Sequence, residues 1–235
     1  MYGRERFGTF SIVAADVEHG YWGVAVSTNP LSVGATVPWA EWRVGAVATQ
    51  AMSNFYYGPD GLALLRKGLA AEEVVRRLTR ADPKRDHRQV AVVDRRGRSA
   101  AWTGRKCLDT ALHVTGDGFS CQGNILVGDQ VVHSMVRVFE SSRGTLGSRM
   151  LRALQAGARE GGDRRGIQSA ALLVVHREPW FDRAWGERWS DIRVDQHRQP
   201  IRELGRILRI DENATRAFLR ARAARLRRRK GRRSG

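Results

Sequence analysis

The chain has 235 residues, 42% of them hydrophobic, and carries 41 Lys and Arg against 24 Asp and Glu, a formal net charge of +17. That length and apolar fraction exclude a wholly disordered chain and suffice for one large domain or two small ones. The longest uncharged window, residues 20–40, is broken by Asn29-Pro30, Pro38 and several Ser and Thr, so no membrane-spanning helix and no membrane partner are expected.

In chain order, the first eight residues have no apolar stretch ahead of a small-residue cleavage site. They read as a leader, 1–8, that is not a secretory signal, and the protein is expected in the cytoplasm. Residues 10–15 and 21–28 are short apolar or β-branched runs around the turn-forming 16–20 and predict a hairpin. Residues 44–51 predict a third strand, rich in Val and small residues and so suited to burial on both faces. The period then changes. Leu62, Leu65 and Leu69, then Val74, Val75 and Leu78, recur at helical spacing on either side of Gly68, and Glu72-Glu73 precede Arg76, Arg77 and Arg80 as a helix dipole prefers. Residues 89–94 and 99–103 predict a second hairpin with Gly97 in its turn, and 119–122 a strand that extends it. Residues 131–142 and 148–159 predict a second helix pair ended by Gly161-Gly162. A buried strand over 169–175 and a shorter one over 192–194 follow. The tally of strands, helix pair, strands, helix pair and strands predicts an α+β domain over 9–208, in which two facing sheets carry helix pairs outside, a four-layer αββα sandwich.

The remaining residues, 209–235, form a basic tail, expected as a frayed helix or a disordered end. Residues 216–235 hold ten basic residues and no acid, which favours nonspecific contact with polyanions. The single aromatic there, Phe218, offers little stacking, and no helix-turn-helix, zinc-finger or RNA-recognition signature accompanies it. Cys107 and Cys121 are too few for a disulfide framework and lack zinc-site spacing, so both read as reduced thiols. The six His are scattered without ligand spacing, and neither a metal nor a cofactor is expected.

What chemistry the chain offers lies in hydroxyls and amides. Thr9 is an ordinary β-branched strand residue on one reading. On the other, cleavage at Gly8–Thr9 would put a hydroxyl and a free α-amine on one residue, and an amine of pKa about 7.7–8.0 can take the hydroxyl proton near neutrality. Gln122-Gly123-Asn124 either offers donors to an oxyanion through Gln122 and Asn124 or makes a tight strand-ending turn. Thr49-Gln50, at a strand end, is divided between pocket and turn. Arg165 either clamps a substrate carboxylate or pairs with Asp163 to fix the loop before the 169–175 strand. Gln168 and Ser169, at the start of that strand, complete the candidate substrate contacts. Trp180, Phe181, Trp185 and Trp189 form an aromatic-rich loop open to three readings: a lid, a contact between copies in a homo-oligomer, or core packing.

The ordered runs Thr9-Phe10-Ser11-Ile12-Val13-Ala14-Ala15-Asp16, Gly45-Ala46-Val47-Ala48-Thr49-Gln50, His87-Arg88-Gln89, Gln122-Gly123-Asn124 and Gly161-Gly162-Asp163-Arg164-Arg165-Gly166-Ile167-Gln168-Ser169-Ala170 resemble an uncharacterised prokaryotic family placed among the N-terminal nucleophile (Ntn) hydrolases. The resemblance extends from Thr9 to about Leu208. It implies the αββα fold and, in members beginning Met-Thr-Phe-Ser, a threonine exposed by loss of the initiator Met. Here eight residues precede Thr9. The first two strands are also similar, more weakly, to threonine-dependent asparaginases and isoaspartyl peptidases, where a Ser-Thr pair closes the second strand. That similarity implies that Thr28 of Ser27-Thr28 polarises the nucleophile. Three functions are therefore carried forward: an amidohydrolase acting on a small-molecule or peptide amide through Thr9, Thr28 and Asn124; a non-catalytic small-ligand-binding protein on the same fold; and nucleic-acid association through the tail.

Overall fold

In the computed structural model, which describes residues 8–108, 110–178 and 187–231 with side chains through residue 225, the expected first hairpin is β1 (Thr9–Asp16) and β2 (Tyr21–Thr28). Gly20, at φ +75, closes its turn where a side chain would be strained. Strand β3 (Pro38–Glu41) precedes β4 (Gly45–Ala51). Helices α1 (Tyr57–Arg66) and α2 (Ala71–Ala81) come next, then β5 (Arg88–Asp94) and β6 (Ser99–Thr103). Strands β7 (Leu112–Gly116) and β8 (Phe119–Asn124) lead into α3 (Gln130–Ser141) and α4 (Leu146–Arg159). The chain ends with β9 (Ser169–Val175), β10 (Arg188–Val194) and α5 (Pro200–Gly231).

Among the described residues these elements make a mixed α+β fold with two antiparallel sheets and five α-helices, and it is not a barrel. One sheet has six strands in the order β10-β9-β2-β1-β8-β7 and the other has four in the order β3-β4-β5-β6. Strand period sorts the apolar residues into three cores. Phe10, Ile12, Cys121 and Leu172 of the larger sheet pack against Val132, Met135, Leu154 and Leu204 of α3–α5. Their strand neighbours Val13, Val24 and Val26 meet Ala46, Ala48, Ala91 and Val93 of the smaller sheet. That sheet's other face, Val47, Val90 and Val92, packs against Leu62, Leu65, Val74 and Leu78 of α1 and α2.

Three strands exceed what the periodicity predicts. β3 and β7 were not expected, and β10 begins at Arg188 rather than 192. All three lie at sheet edges, where one face or one flank stays open to water and the apolar alternation weakens; Pro38 is tolerated in β3 for the same reason. At the C-terminal end no break falls between 208 and 209. Pro200 opens α5, a position where its missing N–H costs nothing. Ile201, Leu204 and Leu208 are buried, and the helix runs on through the basic segment as one element. Trp180, Phe181 and Trp185 lie outside the described residues. Trp189, on β10, packs edge-on against Tyr21 with ring centroids 5.8 Å apart.

Asp82 fastens the smaller sheet to its helices. Its buried carboxylate accepts from Tyr57 Oη (3.1 Å), Asn54 Nδ2 (3.1 Å), Arg88 Nε (2.9 Å) and the Lys84 N–H (2.8 Å). Burial alone would raise its pKa, but the Lys84 N–H, Arg88, Asn54 and Tyr57 outweigh that and hold it at about 2, below the ordinary 3.8. A carboxylate depressed in the folded state contributes stability in full above its unfolded value and loses it as pH falls through the folded one. Asp82→Asn should therefore cost at least about 2 kcal/mol near neutral pH and should flatten the fall of the urea midpoint between pH 4 and 2; a midpoint that falls as steeply as in the unsubstituted chain would contradict this.

Candidate active site

Directly opposed residues of antiparallel strands point to the same face. Thr9 is opposed by Thr28 on β2 and by Asn124 on β8, so the three residues expected to be catalytic form one row across the end of the larger sheet. Two residues along β1, Ser11 is opposed by Gln122. Across the layer, β4 and β5 place Gln50 opposite Gln89, with the same parity as the inter-sheet residues Ala48 and Ala91. One end of the space between the sheets is thus apolar and the other polar. All seven polar side chains are buried.

A buried polar group without a partner costs about 1–3 kcal/mol, and this layer pairs nearly all of its own. Gln50 is the hub. Its Nε2 donates to Gln89 Oε1 (2.7 Å), to the Thr9 carbonyl (3.3 Å) and to Asn124 Oδ1 (3.5 Å), while its Oε1 accepts from Ser11 Oγ (2.6 Å). Gln89 Nε2 donates in turn to the carbonyls of Gly123 (2.9 Å) and Leu112 (3.1 Å) and to Thr103 Oγ1 (2.9 Å). Gln122 Nε2 donates to the Ala48 carbonyl (3.2 Å) and Ser11 Oγ (3.4 Å), whereas Gln122 Oε1 is buried with no partner among the described residues.

At the row itself, Thr9 Oγ1 and Thr28 Oγ1 are 3.1 Å apart, and Thr28 Oγ1 donates to the Gly8 carbonyl. A hydroxyl carries one proton, so Thr9 is the donor to Thr28, and the chain of bonds runs from Thr9 through Thr28 to the Gly8 carbonyl oxygen. The same oxygen accepts from Arg165 Nη2 at 3.0 Å. Arg165 is held by Asp163 at 2.7 Å, and Asp163 also accepts the Asn29 N–H (3.1 Å) and the Arg165 N–H (3.0 Å). The Asp163–Arg165 pair and the grip on a carbonyl therefore coexist. At Gly8 the approach is close: a Cβ there would come 2.7 Å from both Arg165 Nη2 and Asp163 Oδ1, so a side chain would displace the ends of that pair.

Of the other expected contacts, Thr49 and Gln168 lie elsewhere, whereas Ser169, directly opposite Thr28, ends the same row. Thr49 is on the opposite face of β4, where its Oγ1 donates to the Asn54 carbonyl (3.1 Å). Gln168 is exposed, and its backbone bonds to the Thr28 carbonyl and the His197 N–H. Ser169 is buried but its hydroxyl donates to the Pro30 carbonyl (2.6 Å) and accepts from the Val33 N–H (3.3 Å), which holds the loop after β2. Gln89 was not singled out as a site residue in the sequence, although an amide in register with Ala91 and Val93 inside an apolar strand is the signal that marks it.

Beside Asn124 opens a cavity of about 160 Å³ lined by Ala51, Met52, His87, Lys106, Cys107, Leu108, Asn124 and Ile125. Two of its walls are strained. Ala51 (φ +65) and Ile125 (φ +53) both take left-handed backbone, which is costly for a β-branched residue and gathers at functional sites. Each directly follows a network residue, Gln50 or Asn124. The Cys107 thiol is pushed up to about 11, chiefly by burial, and is un-ionised at neutral pH. Among the described residues no three His, Cys, Asp or Glu are grouped to hold a metal ion, and no helix is long and apolar enough to cross a membrane.

Comparison with known proteins places this site inside a family match. The profile described as "Family of unknown function (DUF1028)" covers residues 9–204. A Silicibacter pomeroyi protein of the same family description, solved by crystallography, is similar at 33% identity over 86% of this chain and 88% of its own, with a TM-score of 0.76. No curated protein matches.

Because Gln50 supports three side chains and a carbonyl at once, Gln50→Leu should cost about 2–4 kcal/mol, more than the loss of one hydrogen bond, by leaving the Ser11 hydroxyl without its acceptor and Gln89 Oε1 without its donor. Urea unfolding checks this. A loss below about 1 kcal/mol would show that the layer re-pairs without its hub.

Proposed function

Since this chain belongs to the DUF1028 family of unknown function, we propose from its own geometry that it is an Ntn-type amidohydrolase whose nucleophile, Thr9, is released by cleavage at Gly8–Thr9. The αββα sandwich of that class is supported by the order of its cores: α3–α5, six-stranded sheet, four-stranded sheet, α1–α2. The observation that carries the reading is the doubly held Gly8 carbonyl. Its oxygen accepts from a hydroxyl and from a guanidinium, while the adjoining Thr9 hydroxyl leads into the same chain of bonds.

Processing then follows from what is in reach. Thr9 Oγ1 attacks the Gly8 carbonyl carbon and its proton passes along Thr28 toward the carbonyl oxygen. Arg165 and Thr28 stabilise the tetrahedral oxygen, as preorganised donors in a dry site do. The Gly8–Thr9 C–N bond breaks with the proton going to nitrogen, and water hydrolyses the resulting ester to leave Thr9 with a free amine and hydroxyl. In turnover that amine is the base, the hydroxyl attacks a substrate amide to give an acyl ester and a released amine, and water returns the hydroxyl. Thr28 orients the nucleophile. In this reading the Asn124 amide, whose Oδ1 faces Gln50 Nε2, donates to the substrate's oxyanion.

A second reading rests on α5. Arg202, Arg206, Arg209, Arg216 and Arg220 are all exposed and, at spacings of four, three, seven and four, share one helical face apart from the buried Ile201, Leu204 and Leu208. This stripe suits contact with a nucleic-acid backbone. Duplex DNA binding should weaken steeply between 50 and 200 mM salt and weaken further on deleting residues 216–235, which removes Arg216 and Arg220 of the stripe; binding that ignores salt would contradict it.

Intact-mass measurement tests the hydrolase reading. The purified protein should lose residues 1–8 and start at Thr9, Thr9→Ala should stay full length, and Arg165→Met should slow cleavage by about 10²–10³-fold. A folded chain that retains Gly8 indefinitely would overturn it and favour the non-catalytic, ligand-binding alternative.

A further inference from the structure

The cavity beside Asn124 has a chemistry of its own. Its walls are built from Ala51, Met52, Leu108 and Ile125, with the Cys107 thiol and the Asn124 amide as neutral polar points. Among the described residues no carboxylate lines it. Lys106 and His87 are its two basic side chains, and Lys106 is exposed, with no ion pair among the described residues. Of the acids near His87, Asp86 pairs with Arg105 at 3.5 Å and Asp82 with Arg88 at 2.9 Å. Lys106 itself is anchored through its backbone, whose N–H donates to the Asp86 carbonyl at 2.7 Å, and Cys107 N donates to the Gly104 carbonyl at 3.0 Å. The loop carrying the ammonium is therefore fixed at the cavity rather than hanging free.

Position connects this cavity to the reaction. Asn124 is both a wall of the cavity and the residue directly opposite Thr9. The strained Ala51 and Ile125 shape the wall on either side, because a relaxed extended backbone would continue β4 and β8 straight past it. Its volume, about 160 Å³, is close to that of an apolar cavity that admits a benzene-sized molecule, so it accommodates about six non-hydrogen atoms.

We propose that this cavity is the acyl pocket of the site, that it takes a short aliphatic acyl chain bearing a carboxylate, and that Lys106 is the residue that selects the negative charge. The proposal rests on the reading of Thr9 as nucleophile for the word acyl. The pocket's preference for a short anionic ligand stands on the cavity alone. The apolar walls take the methylene chain, the ammonium at the rim meets the carboxylate while remaining solvated enough to bear its own charge, and a substrate with a terminal amine is repelled. Arg165, the residue that the sequence offered as a carboxylate clamp, is paired with Asp163 and does not line this cavity, so the anion-recognising cation here falls to a different loop.

Cys107 supplies a readout that needs no turnover. It lines the cavity and is part-exposed, whereas Cys121, the other cysteine of the chain, is fully buried. The rate at which methyl methanethiosulfonate modifies Cys107, followed by intact mass, reports whether the pocket is filled. Butyrate should slow that rate at least fivefold at saturation. Its uncharged isostere butyramide should need at least tenfold higher concentration for the same protection, and butylamine should not protect. Lys106→Met should erase the difference between butyrate and butyramide. Thr9→Ala should leave all of these protections in place, since the nucleophile is not part of the pocket. Equal protection by butyrate and butyramide, protection by neither, or a preference that survives in Lys106→Met would each overturn the proposal. Failure of Thr9 to be released shows instead in the mass of the amino terminus and leaves the Cys107 result to be read on its own.

Discussion

The constraint on which the rest of this structure depends is that two sheets face each other with polar side chains between them at one end. Strand alternation gives no choice in the matter. Once Val13 and Val24 are turned toward Ala46 and Ala91 to make the inter-sheet core, Thr9, Ser11, Thr28, Gln122 and Asn124 must enter the same layer from one side and Gln50 and Gln89 from the other. These side chains are buried, and nearly every donor and acceptor among them is paired within the layer, Gln122 Oε1 excepted. The result is a network in which two glutamines from the smaller sheet reach across to the larger one and fix the spacing and lateral register of the two sheets through directional bonds. Apolar contact alone would tolerate sliding.

The same network couples architecture to chemistry. Gln50 touches the Thr9 carbonyl, Asn124 and Ser11 in one arrangement, so the backbone carrying the hydroxyl and the amide beside it are positioned by a residue from the opposing sheet. On the outer side of the row, Asp163 and Arg165 perform the corresponding task for Gly8 and Asn29. Thr9 is held from its own strand, both neighbouring strands and the facing sheet, and Gly8 before it from the loop ahead of β9. Beyond Gln50 and Asn124 the chain passes through left-handed Ala51 and Ile125, and these two residues line the cavity beside the row.

Much of this was legible in the sequence, for identifiable reasons. The β1–β2 and β5–β6 hairpins, both helix pairs and β9 announce themselves because each buries one well-defined face or both, and turn residues such as Gly20 and Gly97 punctuate them. The edge strands β3 and β7 and the first half of β10 do not, since half-exposed strands relax the alternation. The row Thr9, Thr28 and Asn124 was reachable from the ordered motifs, and the structure brings those three together. Thr49 was not separable from Gln50 by proximity alone: one residue of strand period sends it to the helix side, where it binds the Asn54 carbonyl. Ser169 and Gln168 sit at the end of a buried strand, yet their bonds serve the loops at 29–33 and 197. The cavity was invisible in the sequence because its walls come from four separate stretches, and only folding makes Lys106 a neighbour of Asn124.

The most direct test of the central claim is chemical trapping of the nucleophile. After incubation of the purified protein with a simple β-lactone, tandem mass spectrometry should find one lactone equivalent attached as an ester to Thr9 at the amino terminus of the polypeptide, and none on the Thr9→Ala chain. A chain that emerges unmodified, or modified on another residue while Thr9 remains joined to Gly8, would contradict the account.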